Sequence, residues 1–315
     1  CVVSSKSGTT LEPTILTEYF IDRVERAVGH EQVGSRFLAI TDPGSALEAF
    51  ARRRRFRAVL PGVASVGGRF SALSNFGLAP AALSGLDVAS LLDRARAMSA
   101  RCGADVPPGR NPGARLGLLL GLAAQQGRDK VTLILSPAIE ALAGWLEQLL
   151  AESTGKDGRG LIPVAGEAMG PPTAYGADRL FIVMRLAGES DPDPAAVEAL
   201  VDAGHPVVEL GLEERLDVGA EFFRWEVATA VCGAVLGVNP FDQPDVEASK
   251  VATRELADAY ERDGVFASET PLAIDDGLAL FADPVTAARL QEQAGPDAGL
   301  RELLGAHFAG LRPGD

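Results

Sequence analysis

Short β-branched apolar runs alternate with helical stripes along the opening of the chain, and this order limits the fold more than any other feature. Cys1-Val2-Val3 reads as the end of a buried parallel strand. From Thr14 to His30, Ile15, Leu16, Tyr19, Phe20 and Val24 form one helical stripe. Phe37 to Thr41 is a strand, Gly44 to Phe50 a helix whose solvated end is the run Arg52 to Arg55, and Ala58 to Leu60 the next strand. A β-α-β-α order predicts a doubly wound parallel sheet with ligands at the carboxyl ends of the strands. After the irregular stretch Val63 to Gly85, helices are expected at 87–102 and 111–125, parted by a Pro/Gly loop at 105–109 that marks a hinge. A second set then begins: strand 131–135, helix 137–151, strands 180–184 and 207–210, a largely apolar and therefore buried helix at 220–237, and an amphipathic one at 245–261. The expected division is 1–105, 106–261 and an αβ tail, 262–315, with a strand at 278–281. Two α/β units of similar size suggest an internal duplication, although no residue-level repeat is visible.

Composition narrows the function. At 315 residues, 47% hydrophobic and 23% charged, the chain is globular and long enough for two domains. A net charge of −14 argues against nucleic acid or an anionic membrane as partner. An anionic small substrate would need a local basic pocket. Cys1, Cys102 and Cys232, like His30, His205 and His307, are scattered, so neither a disulfide framework nor a metal site is indicated. The apolar runs Leu116 to Ala124 and Val227 to Val238 fall short of the ~20 residues of a membrane span. With no signal-peptide pattern, a soluble, reducing, cytoplasmic setting is expected. A chain that opens on Cys, directly into a strand, reads as a fragment of a longer protein.

Four segments carry polar residues that folding alone does not explain. In Ser4-Ser5-Lys6-Ser7-Gly8-Thr9-Thr10, hydroxyls, a lysine and a glycine lie between strand and helix. Free N–H groups and the helix dipole there suit an anion such as a phosphate. An ordinary turn with Ser/Thr caps has the same look. A Walker A loop is excluded, because the Gly-Lys-Ser/Thr order and spacing are absent. In Val66-Gly67-Gly68-Arg69-Phe70-Ser71, paired glycines permit close backbone approach, and an arginine opens an expected helix. A cation at a helix start worsens the dipole, so Arg69 either meets an anion or is a surface residue after a turn. Gln148 and Glu152 share a helical face, and Ser153-Thr154-Gly155 end the helix just after Glu152. The dipole disfavours a charged carboxylate there, which suits a general base; a surface acid paired with Lys156 is the alternative. In Asn239 to Lys250, Pro244 starts a helix, and Gln243 and Lys250 either look into one cleft or belong to a capped, solvated helix.

Together and in order, the four segments resemble the signature of the phosphoglucose isomerase family, proteins of two sugar-isomerase (SIS) domains. Ser5 to Thr10 is similar to its phosphate loop and Val66 to Ser71 to its first long signature. Glu152-Ser153-Thr154-Gly155-Lys156 is similar to its glutamate motif and Asn239 to Lys250 to its C-terminal signature. The wording Glu-Phe-Phe-Arg-Trp-Glu at 221–226 and Asn-Pro-Phe-Asp-Gln-Pro at 239–244 looks most like the isomerase half of bifunctional transaldolase/phosphoglucose isomerase proteins.

The resemblance implies an α/β fold of two SIS-like doubly wound parallel-sheet domains (α/β/α sandwiches), the first lacking its N-terminal part, and a C-terminal αβ tail. It implies interconversion of glucose 6-phosphate and fructose 6-phosphate through a cis-enediolate, in glycolysis and gluconeogenesis, without metal or organic cofactor. Ser5, Lys6, Ser7, Thr9 and Thr10 would hold the phosphate, Glu152 would move the proton between C1 and C2, and Arg69 would stabilise the enediolate. Gln148 and Gln243 would orient hydroxyls, Lys250 would assist ring opening, and Gly68 would let the backbone approach the sugar. A homodimer and an upstream transaldolase domain are the expected partners.

There are three departures. The Gly-Gly-Ser loop that the family places before the opening strand is missing. No histidine stands in Tyr175-Gly176-Ala177-Asp178-Arg179, where the family has its ring-opening His. The tail after 261 has no counterpart in the ordinary family. Weak or absent activity is therefore expected of the chain by itself. A non-catalytic SIS module that binds a phosphosugar, or an isomerase acting also on mannose 6-phosphate, are the competing readings.

Overall fold

The structure is a computed structural model that describes residues 1–266 and 268–311; the side chains of 244–248 and of 250 lie outside what is described. The chain forms two compact units, Cys1–Asp242 and the residues from Gln243 onward. The first contains two parallel sheets. Its elements are β1 (Val2–Ser4), α1 (Leu11–Val28), the single turn α2 (His30–Val33), β2 (Leu38–Thr41), α3 (Ala46–Arg53), β3 (Ala58–Pro61), α4 (Asn75–Leu83), α5 (Val88–Arg101) and α6 (Pro112–Gln125). There follow β4 (Lys130–Leu135), α7 (Ala141–Thr154), β5 (Ile162–Ala165), β6 (Arg179–Leu186), α8 (Pro194–Asp202), β7 (Val207–Leu212) and α9 (Val218–Leu236). The second unit has α10 (Pro244–Asp263), an antiparallel pair β8 (Ala273–Asp275) and β9 (Leu278–Leu280), α11 (Pro284–Ala294) and α12 (Leu300–Ala309).

The strand order is β1-β2-β3 in one sheet and β5-β4-β6-β7 in the other, all parallel. The larger sheet is covered on both faces, and its residues alternate accordingly. Val131 and Leu133 of β4 with Leu180, Ile182 and Met184 of β6 join one core with α6, α7 and α9. Ile134, Phe181 and Val183 point the other way, onto Val197 and Leu200 of α8. This is the period-2 reading of a strand buried on both faces, and it makes an α/β/α sandwich.

Several elements were hidden from sequence periodicity. β5 contains Pro163, yet it lies at the sheet edge, where a missing N–H is tolerated. α4 lies inside the stretch 63–85, where Gly77 and Pro80 mask a helix that Ser74 caps by accepting from Phe76 N. α8 carries its own start signal, Asp193 accepting from Ala195 N with Pro194 next. One expectation is overturned: the stripe Ile15, Leu16, Tyr19 and Phe20 is exposed. α1 packs instead through Thr17, Ile21 and Val24, with Ile21 and Val24 against the core of the smaller sheet.

The helix α9 is buried as expected. α6 packs along it with a ladder of glycines: a Cβ at Gly113, Gly117 or Gly121 would come within 2.7 Å of Val227, of Val231 and the Ala228 carbonyl, or of Val235. Spacing of four residues puts all three glycines on one face, so the helix axes approach closely.

The same burial distorts two acids of α9. Burial pushes the Glu221 carboxyl up to about 7, with Arg224 pulling it partly back. Burial alone takes Glu226 to about 8. Glu221 Oε2 and Glu226 Oε1 have no hydrogen-bond partner among the described residues. Folded acids with raised pKa hold protons that the unfolded chain has released above about 4.5, so the folded state is favoured at low pH and this advantage is lost as pH rises. Thermal unfolding should therefore shift to lower temperature between pH 5 and pH 8, with a slope of at most about 1.4 kcal/mol per pH unit for each group. Glu226→Gln should flatten the upper part of that profile, measured by circular dichroism.

Candidate active site

The turn Gly68–Phe70 is a single 3-10 turn and not the expected helix start, so Arg69 meets no helix dipole. Its guanidinium is buried, with 1% of the side chain exposed, and reaches across to two distant segments. Nε donates to Ser153 Oγ at 2.7 Å and Nη1 to Glu152 Oε1 at 2.9 Å. Nη2 donates to the carbonyls of Pro240 at 2.7 Å and Asp242 at 2.9 Å. The anion that Arg69 meets within the protein is therefore Glu152. Burial lowers the Arg69 pKa from its ordinary value, and Glu152 draws it back. Trp145 Nε1 donates to the Arg69 carbonyl at 3.0 Å, fixing the turn against α7.

α7 runs through Thr154 before Gly155 caps it, so Glu152 lies in the last turn. Gln148, one turn earlier, donates from Nε2 to Glu152 Oε2 at 3.2 Å. Lys156 does not pair with Glu152. Its Nζ is turned the other way, to Asp242 Oδ1 at 2.7 Å and to the carbonyls of Asp242 and Asn239. The bond from Lys156 holds the Asp242 carboxyl below its ordinary range. Arg69 and Lys156 thus grip one turn, Asn239 to Asp242, by its backbone oxygens.

In the opening loop, Gly8 has φ +72° and a Cβ there would lie 2.4 Å from Leu47 N, so the turn requires glycine. Ser5 Oγ accepts from Gly8 N, Ser7 Oγ accepts from Thr9 N, and the Ser7 and Thr9 hydroxyls are 2.8 Å apart. Thr10 occupies the N-cap of α1, yet its side chain makes no capping bond. The hydroxyls of Ser7, Thr9 and Thr10 belong to exposed residues. Lys6 binds Asp42 at 2.8 Å and donates to the carbonyls of Val63 and Val66 at 3.2 and 2.7 Å. It therefore clips the loop to the segment that leads into Gly67-Gly68-Arg69.

Gln243 is the N-cap of α10, and the Lys250 side chain is outside the described residues. A Cβ at Gly68 would meet nothing within 4 Å, so packing does not demand glycine there. His205 bonds the Pro172 carbonyl at 3.1 Å and packs edge-on against Tyr175 and Phe181, a structural role. Among the described residues no group of three or more His, Cys, Asp or Glu side chains is placed to hold a metal ion. No described helix is long and apolar enough to cross a membrane. Sequence reasoning missed Ser153 and Asp242 as partners; both lie inside the quoted motifs, but nothing in their spacing told which side chain they would meet.

No protein-family model matches the chain. A curated glucose-6-phosphate isomerase of Rubrobacter xylanophilus is 33% identical over 299 residues, covering 80% of this chain and 67% of the relative. The chain belongs to the glucose-6-phosphate isomerase family. The isomerase of Parabacteroides distasonis is 30% identical over 287 residues, and this chain spans 64% of its length. Among solved structures, a hypothetical protein from Thermus thermophilus matches with a TM-score of 0.69 and 28% identity, covering 81% of this chain and 70% of that one. A glucose-6-phosphate isomerase from Chlamydia trachomatis shares the fold, with a TM-score of 0.66 at 20% identity over 82% of this chain and 59% of the other.

The Arg69 network sets a stability test. Ser153 is fully buried and is the acceptor for Arg69 Nε. Ser153→Ala should leave that N–H unsatisfied and cost about 1–3 kcal/mol in urea unfolding.

Proposed function

We propose that this chain is the isomerase module that interconverts glucose 6-phosphate and fructose 6-phosphate by proton transfer through a cis-enediolate. The observation that carries the reading is the buried pairing of Arg69 with Glu152, side chains 83 positions apart that come from two separately quoted motifs of the family. Such a charge is costly to bury, and a fold keeps it where it serves another purpose. Glu152 is the base. Its Oε1 is held by Arg69, so Oε2, next to Gln148, is the atom that takes the proton from C2 and returns it at C1, or the reverse. Arg69 places a fixed positive charge beside the atoms on which the oxyanion develops. The hydroxyls of Ser5, Ser7, Thr9 and Thr10, with Lys6, hold the phosphate, and Gly68 leaves room for the sugar. By the family resemblance, Gln243 orients hydroxyls and Lys250 assists ring opening.

The two halves, 1–105 and 106–261, would be the two SIS-like domains of this cytoplasmic enzyme, and the motif wording at 221–226 and 239–244 supports a transaldolase domain in the same polypeptide. The encoding reading frame tests that point directly. A purely regulatory phosphosugar module has no use for Arg69 and Glu152 held together, which favours the catalytic reading.

In the full-length protein, Glu152→Gln should lower isomerase turnover by about 10²–10⁴-fold while fructose 6-phosphate still binds, since the amide keeps an oxygen for Arg69 Nη1. Retained turnover in a coupled assay would remove Glu152 from the role of base. Gly68→Ala should leave the thermal midpoint unchanged, because a Cβ there touches no protein atom, and should raise KM by filling space kept for the sugar.

A further inference from the structure

A basic cavity lies at the start of α6, away from Arg69 and Glu152. It has a volume of about 310 Å³ and is lined by four arginines: Arg101 at the end of α5, Arg110 and Arg115 around the start of α6, and Arg224 on α9. In a protein of net charge −14, three helices and the loop before α6 contribute four arginines to one cavity. Arg101, Arg110 and Arg115 form no side-chain hydrogen bond or ion pair with any described residue, whereas most other cations near a carboxylate are engaged. The carboxylate on the cavity wall, Glu209, is held by Arg185 at 2.9 Å. Arg224 Nη1 lies 3.3 Å from Glu221, but its buried Nε has no partner among the described residues. Glu221 also acts on Arg101 electrostatically, and with its carboxyl near 7 it neutralises these cations only in part at neutral pH.

The remaining wall is apolar, with Leu116 and Leu119 of α6 facing Val208 and Leu210 of the edge strand β7. α6 opens with Asn111 accepting from Ala114 N and Pro112 in the first turn, so the positive end of its dipole also points to this end of the cavity. The chain path separates this place from Arg69 and Glu152. α6 leads down into β4 and α7 leaves its far end, returning to the start of the parallel strand β5. The start of α6 and the end of α7 are thus at opposite ends of β4, on the order of 20 Å apart for a helix of this length.

We propose that this cavity is a second anion site, distinct from the sugar-phosphate site, that binds a small metabolite bearing at least two phosphate groups. One phosphate monoester brings about −1.5 to −2 charges, too few to match four guanidiniums; two bring enough. Planar guanidiniums offer paired N–H groups that fit phosphate oxygens, and the leucine and valine wall accepts the organic part between them. The size is at the small end of ligand cavities, which fits such a molecule and excludes a nucleic acid strand. The assignment does not depend on the isomerase reading.

Calorimetric titration with pyrophosphate tests it, in a chain carrying Ser7→Ala and Thr9→Ala so that the opening loop contributes little. The expected result is single-site binding that weakens by at least about tenfold when Arg110→Ala and Arg115→Ala are added, and that weakens further with salt. Both arginines are exposed, so the thermal midpoint should not move, and charge reversal in Arg115→Glu alone should give the same loss. No measurable pyrophosphate binding, or binding that neither arginine variant changes, overturns the site.

Discussion

A guanidinium buried at 1% exposure has to be surrounded by acceptors, and the way Arg69 meets that requirement organises the first unit. Its acceptors come from the end of α7 and from the turn that follows α9. The turn that carries it leaves the smaller sheet after β3. One side chain therefore ties the chain after the first sheet to two places around the second. Hydrophobic packing supports the same junction: Phe70 lies against the larger core and its ring is 5.2 Å from Phe241. Packing is non-directional, however, and cannot set the angle of a carboxylate. The hydrogen bonds of Arg69 can.

That arrangement couples stability to the geometry of the candidate site. Removing any acceptor leaves a charged donor unpaired in a dry place, so substitutions at Ser153 or in the turn Asn239 to Asp242 should act on folding as well as on the site. Lys156 repeats the device on the other side of the turn, gripping Asn239 and Asp242. Two cations thus fix the backbone of that turn. The glycine ladder of α6 determines how closely α9, the helix that leads into this turn, can lie.

Much of this was legible in the sequence, and what was not has a physical cause. The central strands β4 and β6 were visible because both faces are buried, which leaves runs such as Val131 to Leu135, apolar but for Thr132. β5 was not, because an edge strand tolerates Pro163. Gln148 and Glu152 could be placed on one face from their spacing of four, since that contact is local. The partner of Glu152 could not: spacing favoured Lys156 four residues on, while the fold brings Arg69 from 83 positions away. Lys156 turns to Asp242 because α7 stops at Thr154, so positions 152 and 156 no longer share a helical face. The exposed stripe of α1 shows the opposite error. Periodicity there indicated the right element but not the buried face, which runs through Thr17, Ile21 and Val24.

The charges also show how an acidic chain can present two basic regions of different character. Around the opening loop and Arg69, each cation is matched: Lys6 by Asp42, Arg69 by Glu152, Lys156 by Asp242. An anion placed there would meet mainly neutral donors, the hydroxyls of Ser5 to Thr10 and the first N–H groups of α1. These act at hydrogen-bond range and are little affected by salt. Such a site is selective for shape, since a ligand gains only where its oxygens fall on donors, and the geometry of Gly8 and its contact with Leu47 then matter as much as charge. In the arginine cavity the balance is reversed. Among the described residues only Arg224 has a carboxylate partner there, Glu221, so the remaining guanidiniums act over a longer range and with less regard to geometry. The start of α6 and the Arg69–Glu152 pair lie at opposite ends of β4, so the fold keeps its matched cations apart from its less matched ones.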